Sequence, residues 1–199
     1  MIRLVLFDLD GVLVDTCDWH YEALNMSLRA HCGFEISYDE HMLTFNGLPT
    51  RVKLEKLEVM EHKRGIVSVD KQKYFKEMVN SKLRLDMEKV SIMKLLRENR
   101  IKTGLVTNCI EETTKLMLNR IGVEEYLDPI ITNEDVINSK PNHESYVTAM
   151  VWAGVDPCET VIVEDSPKGI EAATGLGAKV LRVQNAEEVT VSFIKENIL

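Results

Sequence analysis

The run IRLVLF, residues 2–7, is apolar on both faces of an extended chain except at Arg3, and it breaks off at once into DLDG, residues 8–11. A strand that reads apolar without alternation is buried from both sides, which is the situation in parallel sheets covered by helices. The same layout recurs in IKTGLVTN (101–108), DPIIT (128–132), ETVIVEDS (159–166) and AKVLRV (178–183). Helical stretches at 88–99, 111–121, 142–153, 167–176 and 186–198 alternate with them. Strand alternating with helix predicts an α/β protein built on a doubly wound parallel sheet.

One segment interrupts the alternation. Residues 16–85 contain no convincing strand. DWHYEALNMSLRAHCG (18–33) has helical spacing, with Trp19, Ala23, Met26 and Ala30 on one face and Gly33 placed as a C-cap. Residues 38–45, 50–63 and 70–85 also read as helices. The spacing therefore predicts an all-α domain at 16–85 set into a core made of 1–15 and 86–199. The inserted segment carries 11 Lys+Arg against 10 Asp+Glu, and the remainder 13 against 22. The net charge of −8 argues against nucleic acid as the main ligand. Cys17, Cys32, Cys109 and Cys158 are widely spaced with no CxxC, which argues against a zinc site. No stretch is long enough to span a membrane, and the short N-terminal apolar run does not read as a signal peptide. A reduced, cytoplasmic protein is expected.

In an open parallel sheet, ligands bind beyond the carboxyl ends of the strands. Those ends carry Asp8, Asp10 and Gly11, then Thr107 and Asn108, then Glu164, Asp165 and Ser166, with Lys140 in the loop NSKPN. Four carboxylates at one rim repel each other unless a cation joins them. Oxygen ligands without His or Cys favour Mg²⁺ over zinc. An ammonium and a hydroxyl beside them suit a phosphoryl group, and a carboxylate is an available nucleophile. Each residue alone has a plainer reading. Asp-Gly is a common turn, Thr107 or Asn108 would cap a helix, and Lys140 would sit in a solvated loop. Ser166-Pro167 reads as N-cap and first residue of a helix.

Taken together, DLDGV (8–12), VTN (106–108), SKP (139–141) and VEDSPKGIEAA (163–173) resemble the four ordered motifs of the haloacid dehalogenase (HAD) superfamily of phosphohydrolases. The helical insertion is similar to the cap of the β-phosphoglucomutase and phosphoglycolate phosphatase branch. The resemblance covers the whole chain and implies a HAD-like Rossmannoid core with an inserted helical cap. It implies Asp8 as nucleophile and Asp10 as acid and then base. It implies Mg²⁺ held by Asp8, the Asp10 carbonyl and Asp165, with Glu164 binding the ion or its waters. Thr107, Asn108 and Lys140 would bind the phosphoryl group. In the cap, His20 and Arg51, the latter in NGLPTR (46–51), would contact substrate, while Lys73 and Lys76 read as a solvated face. The implied activity is a Mg²⁺-dependent phosphatase acting on a small phosphorylated metabolite, a sugar phosphate among the candidates. A phosphomutase and a non-catalytic binding protein are the alternatives, and monomer and homodimer are both open. LRLDMEKVS (83–91) lacks the Pro-Gly pair usual after the cap, and KPNHESY (140–146) lacks a second proline.

Overall fold

The computed structural model describes residues 1–199. They form two compact units, Met1–Asp15 with Arg84–Leu199, and Thr16–Leu83.

In the first unit, β1 (Leu4–Phe7), β2 (Lys102–Val106), β3 (Ile130–Ile131), β4 (Thr160–Glu164) and β5 (Lys179–Arg182) form one parallel sheet in the order β3-β2-β1-β4-β5. β1 is central and fully buried. Successive side chains alternate between faces. Leu4 and Leu6 join a cluster with Val106, Ile131, Tyr146, Ala149, Met150 and Ile162. Val5 and Phe7, on the opposite face, are also 0% exposed. Both faces are covered, as the unbroken apolar runs require.

The helices of the inserted unit are α1 (Cys17–Cys32), the single turn α2 (Tyr38–Glu40) running into a π-helical turn at His41–Phe45, α3 (Thr50–Lys56) and α4 (Glu61–Lys82). Those of the sheet unit are α5 (Met87–Glu98), α6 (Glu111–Ile121), α7 (Glu144–Ala153), α8 (Pro167–Ala173) and α9 (Val191–Asn197). α7 packs on β1, β2 and β3, and α8 on β4 and β5. α5 packs on β2, with α6 and α9 against it. The expected helix at 186–198 is instead a short 3₁₀ turn, Ala186–Glu188, followed by α9. Two caps in succession divide it: Asn185 accepts from the Glu187 N–H, and Thr190 from the Phe193 N–H.

In the inserted unit, α1 and α4 pair closely. Leu24, Leu28, Ile36, Phe45, Leu54, Val59 and Val67 form its core. Gly33 ends α1 at φ +76°, donating to the Leu28 carbonyl. The expected helices at 50–63 and 70–85 are partitioned differently, as α3 and the 22-residue α4. Chain reversal occurs at Leu57–Met60, which holds neither Gly nor Pro, and Glu58 takes φ +51° there. No helix of the protein is long and apolar enough to cross a membrane.

Candidate active site

The register places the site. Phe7 is level with Leu105 and with Val163, so the next residues, Asp8, Val106 and Glu164, end three adjacent strands side by side. Asp8 continues the ladder through its N–H to the Val163 carbonyl at 3.0 Å. The chain then turns sharply. The N–H groups of Val12, Leu13 and Val14 all point at the Leu9 carbonyl, and Gly11 adopts φ +86°. Only glycine visits that region without strain.

Lys140 lies at the centre of the rim and is 4% exposed. Its ammonium has three donors, and each is used: Asp8 Oδ1 at 2.6 Å, Glu164 Oε1 at 2.7 Å and the Val106 carbonyl at 2.8 Å. Its charge lies 4.7 Å from the centre of the Tyr146 ring. Burial alone would push this ammonium down, but the Asp8 and Glu164 carboxylates outweigh it and hold it well above its ordinary value. The lysine is cationic throughout the neutral range.

Glu164 is 0% exposed and fully engaged. Oε1 accepts from Lys140 and from the Tyr146 hydroxyl at 2.9 Å. Oε2 accepts from the Asp165 N–H at 3.0 Å, the Ser166 N–H at 3.1 Å and the Ser166 hydroxyl at 3.2 Å. Gly169 makes this possible, because a Cβ there would lie 1.6 Å from Glu164 Oε1.

Asp8, Glu164 and Asp165 have carboxylate oxygens within 4.8 Å of one another. One ammonium against three carboxylates leaves an excess of negative charge. Burial, only partly offset by Lys140, raises the Asp8 carboxyl well above its usual range. Burial and the Glu164 charge raise Asp165 to about 7. Asp165 Oδ1 is buried without a hydrogen-bond partner. Its other oxygen lies where a Cβ on Gly11 would come within 2.2 Å. An unsatisfied buried carboxylate oxygen, an all-oxygen donor set and surplus negative charge fit a hard divalent cation.

Thr107 is 2% exposed and its hydroxyl oxygen accepts from the Cys109 N–H at 3.1 Å. Asn108 uses its side-chain amide on the backbone of Lys140, accepting from its N–H at 3.1 Å and donating to its carbonyl at 3.0 Å. The β2 end thereby fixes the lysine loop. The Cys109 thiol donates to Asp10 Oδ2 at 3.1 Å.

In the inserted unit, His20 on α1 stacks on Phe75, with ring centroids 3.8 Å apart and planes 9° apart. Lys71 Nζ lies 2.8 Å from His20 Nδ1. An ammonium is only a donor, so Nδ1 accepts and the ring proton resides on Nε2. Arg51 is on the surface of α3, its side chain 75% exposed and paired with Glu55 at 2.7 Å. Lys73 is exposed and Lys76 half-buried.

A model of the family described as haloacid dehalogenase-like hydrolase matches residues 5–183. The chain belongs to that family. This HAD hydrolase is 31% identical over 185 residues to a phosphorylated carbohydrates phosphatase of Thermotoga maritima, covering 88% of this chain and 82% of that protein. It is 28% identical to the validoxylamine A 7'-phosphate phosphatase of Streptomyces hygroscopicus, covering 89% and 83%. In fold it is similar to the β-phosphoglucomutase of Clostridium difficile, with TM-score 0.84, 22% identity, and 98% and 96% of the two chains covered.

Sequence reasoning missed several residues of the HAD hydrolase's site. Tyr146, Gly169 and Cys109 carry no periodic signal, because their roles arise from contacts between distant segments. In the inserted unit, Lys71 beside His20 did carry one. It falls in the series Val67, Lys71, Phe75 and Val79, the buried stripe of α4 at i, i+4 spacing, where a lysine is out of place.

Proposed function

We propose that this HAD hydrolase is a Mg²⁺-dependent phosphatase of small phosphorylated compounds, phosphorylated carbohydrates among them, working through an aspartyl-phosphate. The observation that carries this reading is the Asp8–Lys140–Glu164 arrangement beside the unsatisfied Asp165 oxygen. The names of the similar phosphatases support the substrate class.

Lys140 holds Asp8 Oδ1, which leaves Oδ2 to attack phosphorus. The bond from phosphorus to the ester oxygen breaks, and Asp10 delivers its proton to the departing oxygen. Asp10 then takes a proton from water, which attacks phosphorus, frees phosphate and restores the Asp8 carboxylate. Thr107 uses its hydroxyl lone pair on Cys109 N–H, so its O–H proton is available to a phosphoryl oxygen. Asn108 offers its backbone N–H, its side chain being committed to Lys140.

Asp8, Asp165 and the Asp10 backbone carbonyl would hold Mg²⁺, which would supply positive charge against the negative charge of the phosphoryl group. Glu164, with five donors on its two oxygens, serves as the anchor of Lys140. From the cap, His20, with Nδ1 held by Lys71, would contact the substrate, and Arg51 would exchange Glu55 for an anionic group of it.

The likeness to β-phosphoglucomutase is one of fold and does not choose between hydrolysis and phosphoryl transfer to a second sugar hydroxyl. Phosphate release from a panel of phosphorylated metabolites, with Mg²⁺ or with chelator, decides it. Release that requires the metal and vanishes in Asp8→Asn is expected. Isomerisation of a sugar monophosphate primed by a bisphosphate, without net release, would replace this reading with a mutase.

A further inference from the structure

A second cavity, of about 400 Å³, opens in the sheet unit beside the start of β2, with Arg97, Arg100, Lys102, Tyr126, Asp128 and Trp152 in its lining. Lys102 begins β2, whereas Thr107 follows its end. At about 3.3 Å per residue, the cavity is on the order of 17 Å from the phosphatase rim, at the opposite edge of the sheet. The size is that of an ordinary small-molecule site.

Its chemistry is distinctive. Three cations face one carboxylate in a protein of net charge −8. Arg97 is occupied, lying 4.7 Å from the Tyr126 ring centre and donating to the Glu125 carbonyl. Lys102 spends one donor on the Ala153 carbonyl at 2.7 Å and keeps two. The Arg100 guanidinium takes part in no ion pair or hydrogen bond. Arg100 also sits at φ +60°, just past the end of α5, where glycine is the unstrained choice. A strained arginine with its guanidinium uncommitted points to a ligand. Trp152 is 70% exposed. Its indole N–H is fixed on Asp128 Oδ1 at 3.1 Å, which orients a bare aromatic face and leaves the other Asp128 oxygen to accept.

We propose that this cavity binds a nucleoside monophosphate, with the base stacked on Trp152 and its N–H groups on Asp128, and the phosphate on Arg100 and Lys102. Each part answers a feature already present: a flat ring for the indole, donors for the carboxylate, an anion for the free cations. A plain phosphate would leave Trp152 and Asp128 unused.

The protein has two tryptophans. In an Asp8→Asn, Trp19→Phe background the nucleotide is not hydrolysed, and Trp152 is the sole indole. Titration with AMP and GMP should give saturable quenching of Trp152 by at least one of them. Arg100→Gly in the same background should weaken it at least tenfold while raising Tm, since glycine suits φ +60°. Loss of binding together with higher stability cannot be a folding defect. Should Trp19→Phe fail to fold, calorimetric titration of Asp8→Asn with and without Arg100→Gly reads the same difference. The proposal is overturned by absence of saturable binding, by binding that Arg100→Gly leaves unchanged, or by ribose 5-phosphate or inorganic phosphate binding as tightly as the nucleotide.

Discussion

Lys140 and Asp8 are joined at 2.6 Å across 132 residues of sequence, in a site where the lysine side chain is 3% exposed and the aspartate 12%. The lysine is therefore the counter-charge that lets two buried carboxylates, Asp8 and Glu164, end adjacent strands. Removing one partner of a buried pair strands the other. Lys140→Met should lower stability by about 3 kcal/mol at neutral pH, less than a pairwise sum, because the buried Asp8 carboxyl can take up a proton. It should also cost a factor on the order of 10² to 10³ in kcat. Urea unfolding alongside phosphate release checks both. A fully stable, inactive variant would mean that the lysine acts on the substrate without supporting the fold.

The raised carboxyls set a pH dependence. Burial and the Glu164 charge push Asp165 up to about 7 in the fold, from an ordinary 3.8, and burial shifts Asp8 the same way. The folded state then holds protons that the unfolded chain has already lost, so stability falls as pH rises from about 4 through about 7. Between about pH 5 and 7 the Asp165 part of this fall should be on the order of 2–3 kcal/mol in chelator. Mg²⁺ should flatten it, since a divalent cation favours the ionised carboxylates. Denaturant midpoints from pH 5 to 8, with and without Mg²⁺, measure this. Parallel curves in the two conditions would remove the metal from this cluster.

Gly169 lies in α8, where alanine would ordinarily be favoured by about 1 kcal/mol. Here a Cβ would land 1.6 Å from Glu164 Oε1 and 1.9 Å from its carboxyl carbon. The carboxylate must swing away from Lys140 and Tyr146, leaving buried groups unsatisfied. Gly169→Ala should destabilise by about 2 kcal/mol or more, against the helix propensity, and impair turnover. A variant as stable as the parent would show that Glu164 has a second acceptable seat.

These cases mark how far a sequence of this kind can be read. The central strands were visible because burial on both faces leaves an apolar run, as at Leu4–Phe7 and Val161–Val163, while β5 at the edge, with no fully buried residue, showed only its alternation with helices. Asp8, Asp10, Thr107, Lys140 and Asp165 stood out because a parallel sheet brings its carboxyl ends to one rim. The cap was harder. Glu58 reverses the chain at φ +51° without glycine, and Arg51 lies on the surface against Glu55, where only the fold shows which charges are used. The Glu164 donors come from three separate segments, and no local pattern announces such a convergence.

Lys71 tests whether a buried cation of the cap is structural or functional. It is 3% exposed, donates to His20 Nδ1 and lies 4.8 Å from the Phe75 ring centre. Replacing a buried charge by an apolar side chain of similar volume is often neutral or stabilising, by about 1 kcal/mol or more. Lys71→Met should therefore leave Tm unchanged or raised. The same change removes the donor that fixes His20 Nδ1 as an acceptor, so if His20 handles the substrate kcat/KM should fall about tenfold, as when a histidine loses an orienting partner. Lys71→Arg keeps a donor and should recover part of the loss. If Tm drops while kcat/KM holds, the pair is a packing element and His20 has no part in handling the substrate.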